Sequence, residues 1–124
     1  MGYTTEFSGS FSINPPLTKE HADELLAFSN ERHNDKFCPG IWCDWIPTNC
    51  GATLEWSGAE KFYNYTEWLI HLVDHFFKLN GYKIAGQVAW QGEDASDSGV
   101  IYAMDNRIEA IKNEVTNPGP SWGN

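Results

Sequence analysis

Positive charge is what this chain has least of. It carries 8 Lys and Arg against 17 Asp and Glu, a formal net charge of −9 at pH 7. A phosphate backbone is repelled by such a balance, and no run of Lys or Arg offsets it locally, so direct nucleic-acid binding is not expected. Solubility alone accounts for an acidic balance most economically. The other reading is an acidic surface that meets a basic partner, for instance a nucleic-acid-binding protein. Long apolar runs are also missing, so no membrane span or membrane partner is expected. Met1-Gly2-Tyr3-Thr4-Thr5-Glu6 lacks the basic region and apolar core of a signal peptide. Gly2 does not open a myristoylation signal, because Glu6 stands where Ser or Thr is wanted. These absences point to a cytoplasmic protein, in which the sequon Asn64-Tyr65-Thr66 has no secretory route to use it.

Cysteine is scarce as well. Cys38, Cys43 and Cys50 are an odd set and cannot all pair within one chain; in a reducing compartment they are expected as free thiols. With His33 they number four possible zinc ligands, but the tight Cys-x2-Cys knuckle of structural zinc sites is lacking, so no metal is expected. His71 and His75 stand four residues apart on an expected helix, a spacing that can chelate. Leu72 occupies the position where a zincin needs Glu, and Glu67, His71, Asp74, His75 and Lys78 read more simply as a solvated helix face. Walker and dinucleotide glycine patterns are missing, as is any recognisable setting for a Ser or Cys nucleophile. No cofactor and no catalytic residue is therefore assigned.

What the chain does have is apolar and aromatic residues, at 41% and 15% of its 124 residues. That supports a packed core in one domain. Tyr3, Phe7, Phe11 and Ile13 alternate with Thr4, Glu6, Ser8, Ser10 and Ser12, the period of a half-buried strand, with Gly9 allowing a bend. Asn14-Pro15-Pro16 ends it. Thr18 reads as the N-cap of a helix with Ala22, Leu25, Leu26 and Ser29 on one stripe, ending near Asn34. Residues 41–47 and 52–57 read as a hairpin around Thr48-Asn49-Cys50-Gly51. A second helix is predicted from a capping box at Asn64 and Glu67 and from the stripe Tyr65, Trp68, Leu69, Leu72, Val73, Phe76, Leu79, closed by Gly81. Three strands come next at 82–91, 99–105 and 107–115, the last two joined by a tight turn at Asp105-Asn106.

The expected fold class is α+β: two helices on one face of a mostly antiparallel sheet of about six strands, in the order β-α-β-β-α-β-β-β. A ferredoxin-like split β-α-β arrangement with an added hairpin is the first topology, and its right-handed crossovers make the third and fourth strands co-directional. Residues 2–115 form the single domain, and 116–124 a flexible C-terminal tail.

A Trp-x-Gly turn followed by carboxylates occurs twice, as Trp56-Ser57-Gly58-Ala59-Glu60 and Trp90-Gln91-Gly92-Glu93-Asp94. Co-directional strands would bring both turns to one sheet edge, giving an aromatic floor with an acidic rim. Trp56, Glu60, Trp90, Gln91, Glu93 and Asp94 are thus the candidate ligand- or partner-binding residues. The carboxylates and amide around Gln91, Glu93, Asp94, Asp97 and Ser98 also suit a hard cation, although the EF-hand register is absent and a hydrophilic hairpin loop explains them.

The segments Gly2-Tyr3-Thr4-Thr5-Glu6-Phe7-Ser8-Gly9-Ser10-Phe11, Trp42-Cys43-Asp44-Trp45-Ile46-Pro47, Glu60-Lys61-Phe62-Tyr63-Asn64-Tyr65-Thr66-Glu67-Trp68-Leu69 and Trp90-Gln91-Gly92-Glu93-Asp94 occur in that order. In these the chain resembles an uncharacterised family of small bacterial and phage proteins, over most of residues 2–106. It departs between Asn34 and Ile41, where relatives carry a longer insertion. The resemblance implies a mobile-element origin and brings no catalytic residue with it.

The leading expectation is a non-enzymatic, acidic binding protein, a phage accessory or anti-defence factor acting through a protein partner. Two alternatives stand beside it. One is a small hydrolase using paired carboxylates at Glu60 and Glu93. The other is a nucleotide-signal sponge that stacks a base on the Trp rings, with Lys61 and Lys83 supplying local positive charge. Because no tight ligand set is present, treatment with a strong chelator is expected to leave the thermal midpoint unchanged; a large drop in a melting scan would restore the His33/Cys38/Cys43/Cys50 site.

Overall fold

The computed structural model describes residues 3–33 and 36–113. It is an α+β fold, with two helices packed on one face of an open six-stranded antiparallel sheet. The strands run β1 Thr5–Asn14, β2 Trp45–Thr48, β3 Thr53–Trp56, β4 Lys83–Gly92, β5 Ser98–Met104 and β6 Arg107–Lys112. Their order across the sheet is β2-β3-β1-β4-β5-β6, every neighbouring pair antiparallel. Both β3 and β4 pair antiparallel with β1, so these two run in the same direction.

The alternation of β1 is realised in burial. Phe7, Phe11 and Ile13 enter the core beside Thr5, while Glu6, Ser8 and Ser12 face outward. Gly9 permits the bend it suggested: φ is +109°, and a Cβ there would lie 2.8 Å from the carbonyl oxygen of Gln87 on β4. Among the described residues no helix covers the outer face of the sheet, and Tyr102 and Met104 of β5 are exposed.

Helix α1 spans Lys19–Ser29, and the Thr18 hydroxyl accepts the His21 amide as an N-cap should. It ends five residues before Asn34, and the stripe is narrower than expected: Leu25 and Ser29 are buried while Leu26 is exposed. The first hairpin is shorter than predicted. Residues 41–44 stay outside β2: the Ser57 amide still bonds the Asp44 carbonyl in register with the ladder, but by Ile41 the backbone has turned to the His33 amide. The turn between β2 and β3 takes Asn49, Cys50 and Gly51 through positive φ.

Helix α2, Tyr65–Leu72, buries Trp68, Leu69 and Leu72 as its period requires. It is prolonged by a π-helical turn over Val73–Phe77, marked by the bond from the Lys78 amide to the Val73 carbonyl. One extra residue in the turn rotates the side chains beyond it about the helix axis. Phe77 therefore enters the core at 0% exposure, and Leu79, which the unbroken period put on the buried stripe, is 73% exposed. The expected capping box is not formed: Asn64 has φ +57° and no side-chain cap bond, and its amide nitrogen donates to the Pro39 carbonyl at 2.6 Å instead.

Asp105 and Asn106, at φ +48° and +73°, make the tight turn of the last hairpin. The Asn106 side chain pins it by accepting the Ile84 amide and donating to the Tyr82 carbonyl. Expectations for residues 1–2 and for the tail at 116–124 lie outside the described residues. Among the described residues no helix is long and apolar enough to cross a membrane. Phe77→Ala should lower unfolding free energy by about 3–5 kcal/mol, the cost of a large cavity at a fully buried ring. Chemical denaturation measures this, and a loss under about 1 kcal/mol would show that the rotated turn does not pack.

Candidate functional site

The Trp rings of the two turns are linked through Phe7 and Tyr65. Phe7 of β1 has its ring centroid 5.3 Å from Trp56 and 4.9 Å from Tyr65, and Tyr65 lies 5.9 Å from Trp90. The rings turn inward: Trp90 is 7% exposed and Trp56 is partly buried against the core. Each indole N–H is used locally, Trp56 to the Ala59 carbonyl and Trp90 to the Asp97 carboxylate. Trp90 is thus largely covered, and Trp56 partly so.

The polar parts of the two turns behave differently. In the second turn, Glu93 accepts the Thr4 amide at 2.7 Å. Asp94 accepts from the Ser96 amide and hydroxyl, bonds that hold its carboxyl below the usual carboxylate range. The Gln91 side chain donates to the carbonyls of Gly92 and Asp94. Tyr3 closes the loop, donating to Asp97 and accepting the Asp94 amide. Gly92 admits this packing, since a Cβ there would strike Asp97 and the Tyr3 hydroxyl. Gln91, Glu93 and Asp94 thus bond the loop itself and the start of β1.

Glu60 sits elsewhere. It lines a groove of about 670 Å³ whose two walls are residues 40–44 and 59–64. Local folding explains the walls. Cys43, Trp45 and Phe62 are buried, so their chain neighbours Trp42, Asp44, Lys61 and Tyr63 point the other way, toward the groove. Trp42 and Tyr63 are 48% and 51% exposed, large apolar surfaces beside a cavity. Lys61 and Asn64 hold positive φ at +62° and +57°, a conformation Asn tolerates and Lys rarely adopts, on either side of the buried Phe62. Glu93 and Trp90 do not line this groove; Trp90 borders a separate one of about 420 Å³ with Tyr65, Glu67 and Ala110.

Trp42, Asp44 and Tyr63 were not singled out as site residues from the sequence. The available signal was that both phases of residues 41–47 carry apolar side chains, which left one Trp on an open face.

Cys43 is buried, its thiol pushed up to about 12 by desolvation, which makes it inert at neutral pH. His33 bonds the Phe28 carbonyl through Nε2. Among the described residues no group of three or more His, Cys, Asp or Glu side chains is placed to hold a metal ion. The rings of His71 and His75 are 4.5 Å apart and line a groove of about 360 Å³ between α1 and α2, with Glu24, Glu31, Phe28 and Phe76.

In comparisons with known proteins, no family model, no curated protein and no solved structure matches this chain.

Asp44 offers a test of the groove's electrostatics. Burial raises its carboxyl above the ordinary 3.8, outweighing the Ser57 side-chain hydrogen bond that lowers it. A folded-state value above the unfolded one means that the group favours folding when protonated. That contribution is present at pH below 3.8 and is lost as pH rises through the elevated value. Asp44→Asn should therefore melt above wild type at neutral pH, with the gap closing in acid. A lower midpoint at neutral pH would mean that the ionised carboxylate is stabilising.

Proposed function

We propose that this chain is a non-enzymatic binding protein that engages a protein partner through the groove between residues 40–44 and 59–64. The observation that carries this reading is the pair of half-exposed rings, Trp42 and Tyr63, set beside the Asp44 and Glu60 carboxylates in one cavity. Aromatic anchors in a concave patch with a polar rim are the usual composition of a protein-binding hot spot. The net charge of −9 favours a basic partner over nucleic acid. A phage-encoded accessory or anti-defence role remains part of the proposal, resting on the resemblance of the four segments. The antiparallel order β2-β3-β1-β4, with β5 and β6 appended, supports a ferredoxin-like arrangement with an added hairpin.

The alternatives receive less support. A hydrolase working through Glu60 and Glu93 needs both carboxylates on one cavity, whereas Glu60 borders the groove and Glu93 is bonded to the Thr4 amide. The nucleotide-sponge reading rests on the Trp rings of the two turns, with Lys61 and Lys83 for charge. Trp90 is buried, and Lys83 begins β4 at the end opposite Trp90.

The test is capture from host lysate with wild type and with Trp42→Ala/Tyr63→Ala. Loss of two hot-spot rings is expected to weaken the captured interaction by roughly 2 kcal/mol or more per ring, while circular dichroism stays native because both rings are half-exposed and the one hydrogen bond lost among the described residues is the long one from the Tyr3 amide to the Tyr63 hydroxyl. Capture of the same partners at the same affinity would remove the groove from the proposal.

A further inference from the structure

The groove's lining says what chemistry it selects, if it is the binding site proposed above. Its charged residues are Asp44, Glu60 and Lys61, two carboxylates against one ammonium, in a molecule of net charge −9. Of the two salt bridges found among the described residues, neither involves Asp44, Glu60 or Lys61. Asp44 is partly desolvated in the wall, and burial is the main influence on its carboxyl. An anion kept there without a cation is a site that a cationic ligand would relieve. Trp42 and Tyr63 add aromatic faces, which attract cations and stack on planar ones.

Guanidinium answers this set better than ammonium does. It is planar, forks onto carboxylates and stacks on rings, whereas ammonium is a compact and strongly hydrated point charge. The groove also carries a feature directed at a backbone. Asn64 lines it, is exposed, and spends one side-chain N–H on the Pro39 carbonyl; a side-chain amide carries a second N–H. Gly40, beside it, leaves the floor open: a Cβ there would stand 3.2 Å from Trp68 Nε1 and 3.6 Å from Asn64 Nδ2. Behind that floor the Trp68 indole N–H is buried and has no partner among the described residues. The Asn64 amide, which lines the groove, is suited to a carbonyl oxygen, the group that a peptide supplies next to every side chain.

We propose that the groove binds an extended peptide segment through one arginine, whose guanidinium lies between the Asp44 and Glu60 carboxylates against the ring of Trp42 or Tyr63, with a neighbouring backbone carbonyl on the Asn64 amide. This rests on the groove being the partner site, and it adds the ligand class.

The test is a nitrogen-15 NMR titration of the intact protein with acetylated, amidated Ala-Ala-Arg-Ala-Ala, and with its citrulline and lysine analogues. The arginine peptide should shift the indole resonances of Trp42 and Trp68 and the side-chain amide of Asn64 saturably. Citrulline keeps the shape and loses the charge, and should not saturate; lysine should bind more weakly than arginine. Glu60→Gln and Asp44→Asn should each weaken the arginine peptide roughly tenfold or more, as loss of a charge-assisted bond does. Asp44→Asn is expected to be at least as stable as wild type at neutral pH, so a loss of binding there is not a loss of fold. Equal titration by arginine and citrulline peptides, abolished by Trp42→Ala, would overturn the arginine assignment and keep the groove as a peptide site. If no peptide shifts these resonances at millimolar concentration while Trp42→Ala/Tyr63→Ala still loses the captured partner, the ligand class is wrong and the partner site stands. If neither happens, both fall.

Discussion

The ring of Phe7 is the contact on which the described surface depends. It projects from β1, a strand in the middle of the sheet, and touches Trp45, Trp56, Phe62 and Tyr65 at centroid separations of 5.4, 5.3, 5.8 and 4.9 Å. These four rings belong to β2, β3, the segment before α2 and the first turn of α2. Aromatic rings bury large areas and prefer tilted contacts, so one strand residue can fix several elements at once. Trp45 extends the network by donating to the Tyr65 carbonyl while its own carbonyl accepts the Ser29 hydroxyl. Together with the Asn64 bond to the Pro39 carbonyl, that cluster sets the segments 40–44 and 59–64 side by side.

The same cluster divides side chains into inward and outward sets. Burying Cys43 and Trp45 sends Trp42 and Asp44 out; burying Phe62 sends Lys61 and Tyr63 out. Positive φ at Lys61 and Asn64 flanks the inward Phe62. Ring burial offsets the backbone cost there, and the outward residues gain a defined direction from packing that they do not themselves make. The loop after Trp90 takes the opposite course. Its carboxylates and amide are used within the loop or on residues 3 and 4, so it holds the first and fourth strands together at their ends. Two turns of similar composition therefore differ in what they leave available.

Strand alternation, the second helix's stripe from Trp68 to Phe76, the Thr18 cap and the Asp105-Asn106 turn were legible in the sequence, because each rests on a period or on the chemistry of one or two neighbouring residues. So was the antiparallel α+β class, which comes from the order of the elements. The shared direction of the third and fourth strands was legible too. Four features were not. The π-helical turn that buries Phe77 and exposes Leu79 is set by packing against the sheet, and a sequence period assumes an unbroken helix. Asn64 left its expected cap for the Pro39 carbonyl, a partner 25 residues away. The inward aim of Trp56 and Trp90 was decided by contacts with Phe7 and Tyr65, from other elements. Finally, Trp42, Asp44 and Tyr63 became groove residues because two segments distant in sequence were packed side by side. The chain by itself determined which residues repeat on a face and which turns they can make. Tertiary structure alone decided which rings are covered, which carboxylates are already bonded and which remain at a surface, because burial and hydrogen bonding depend on neighbours that local sequence does not specify.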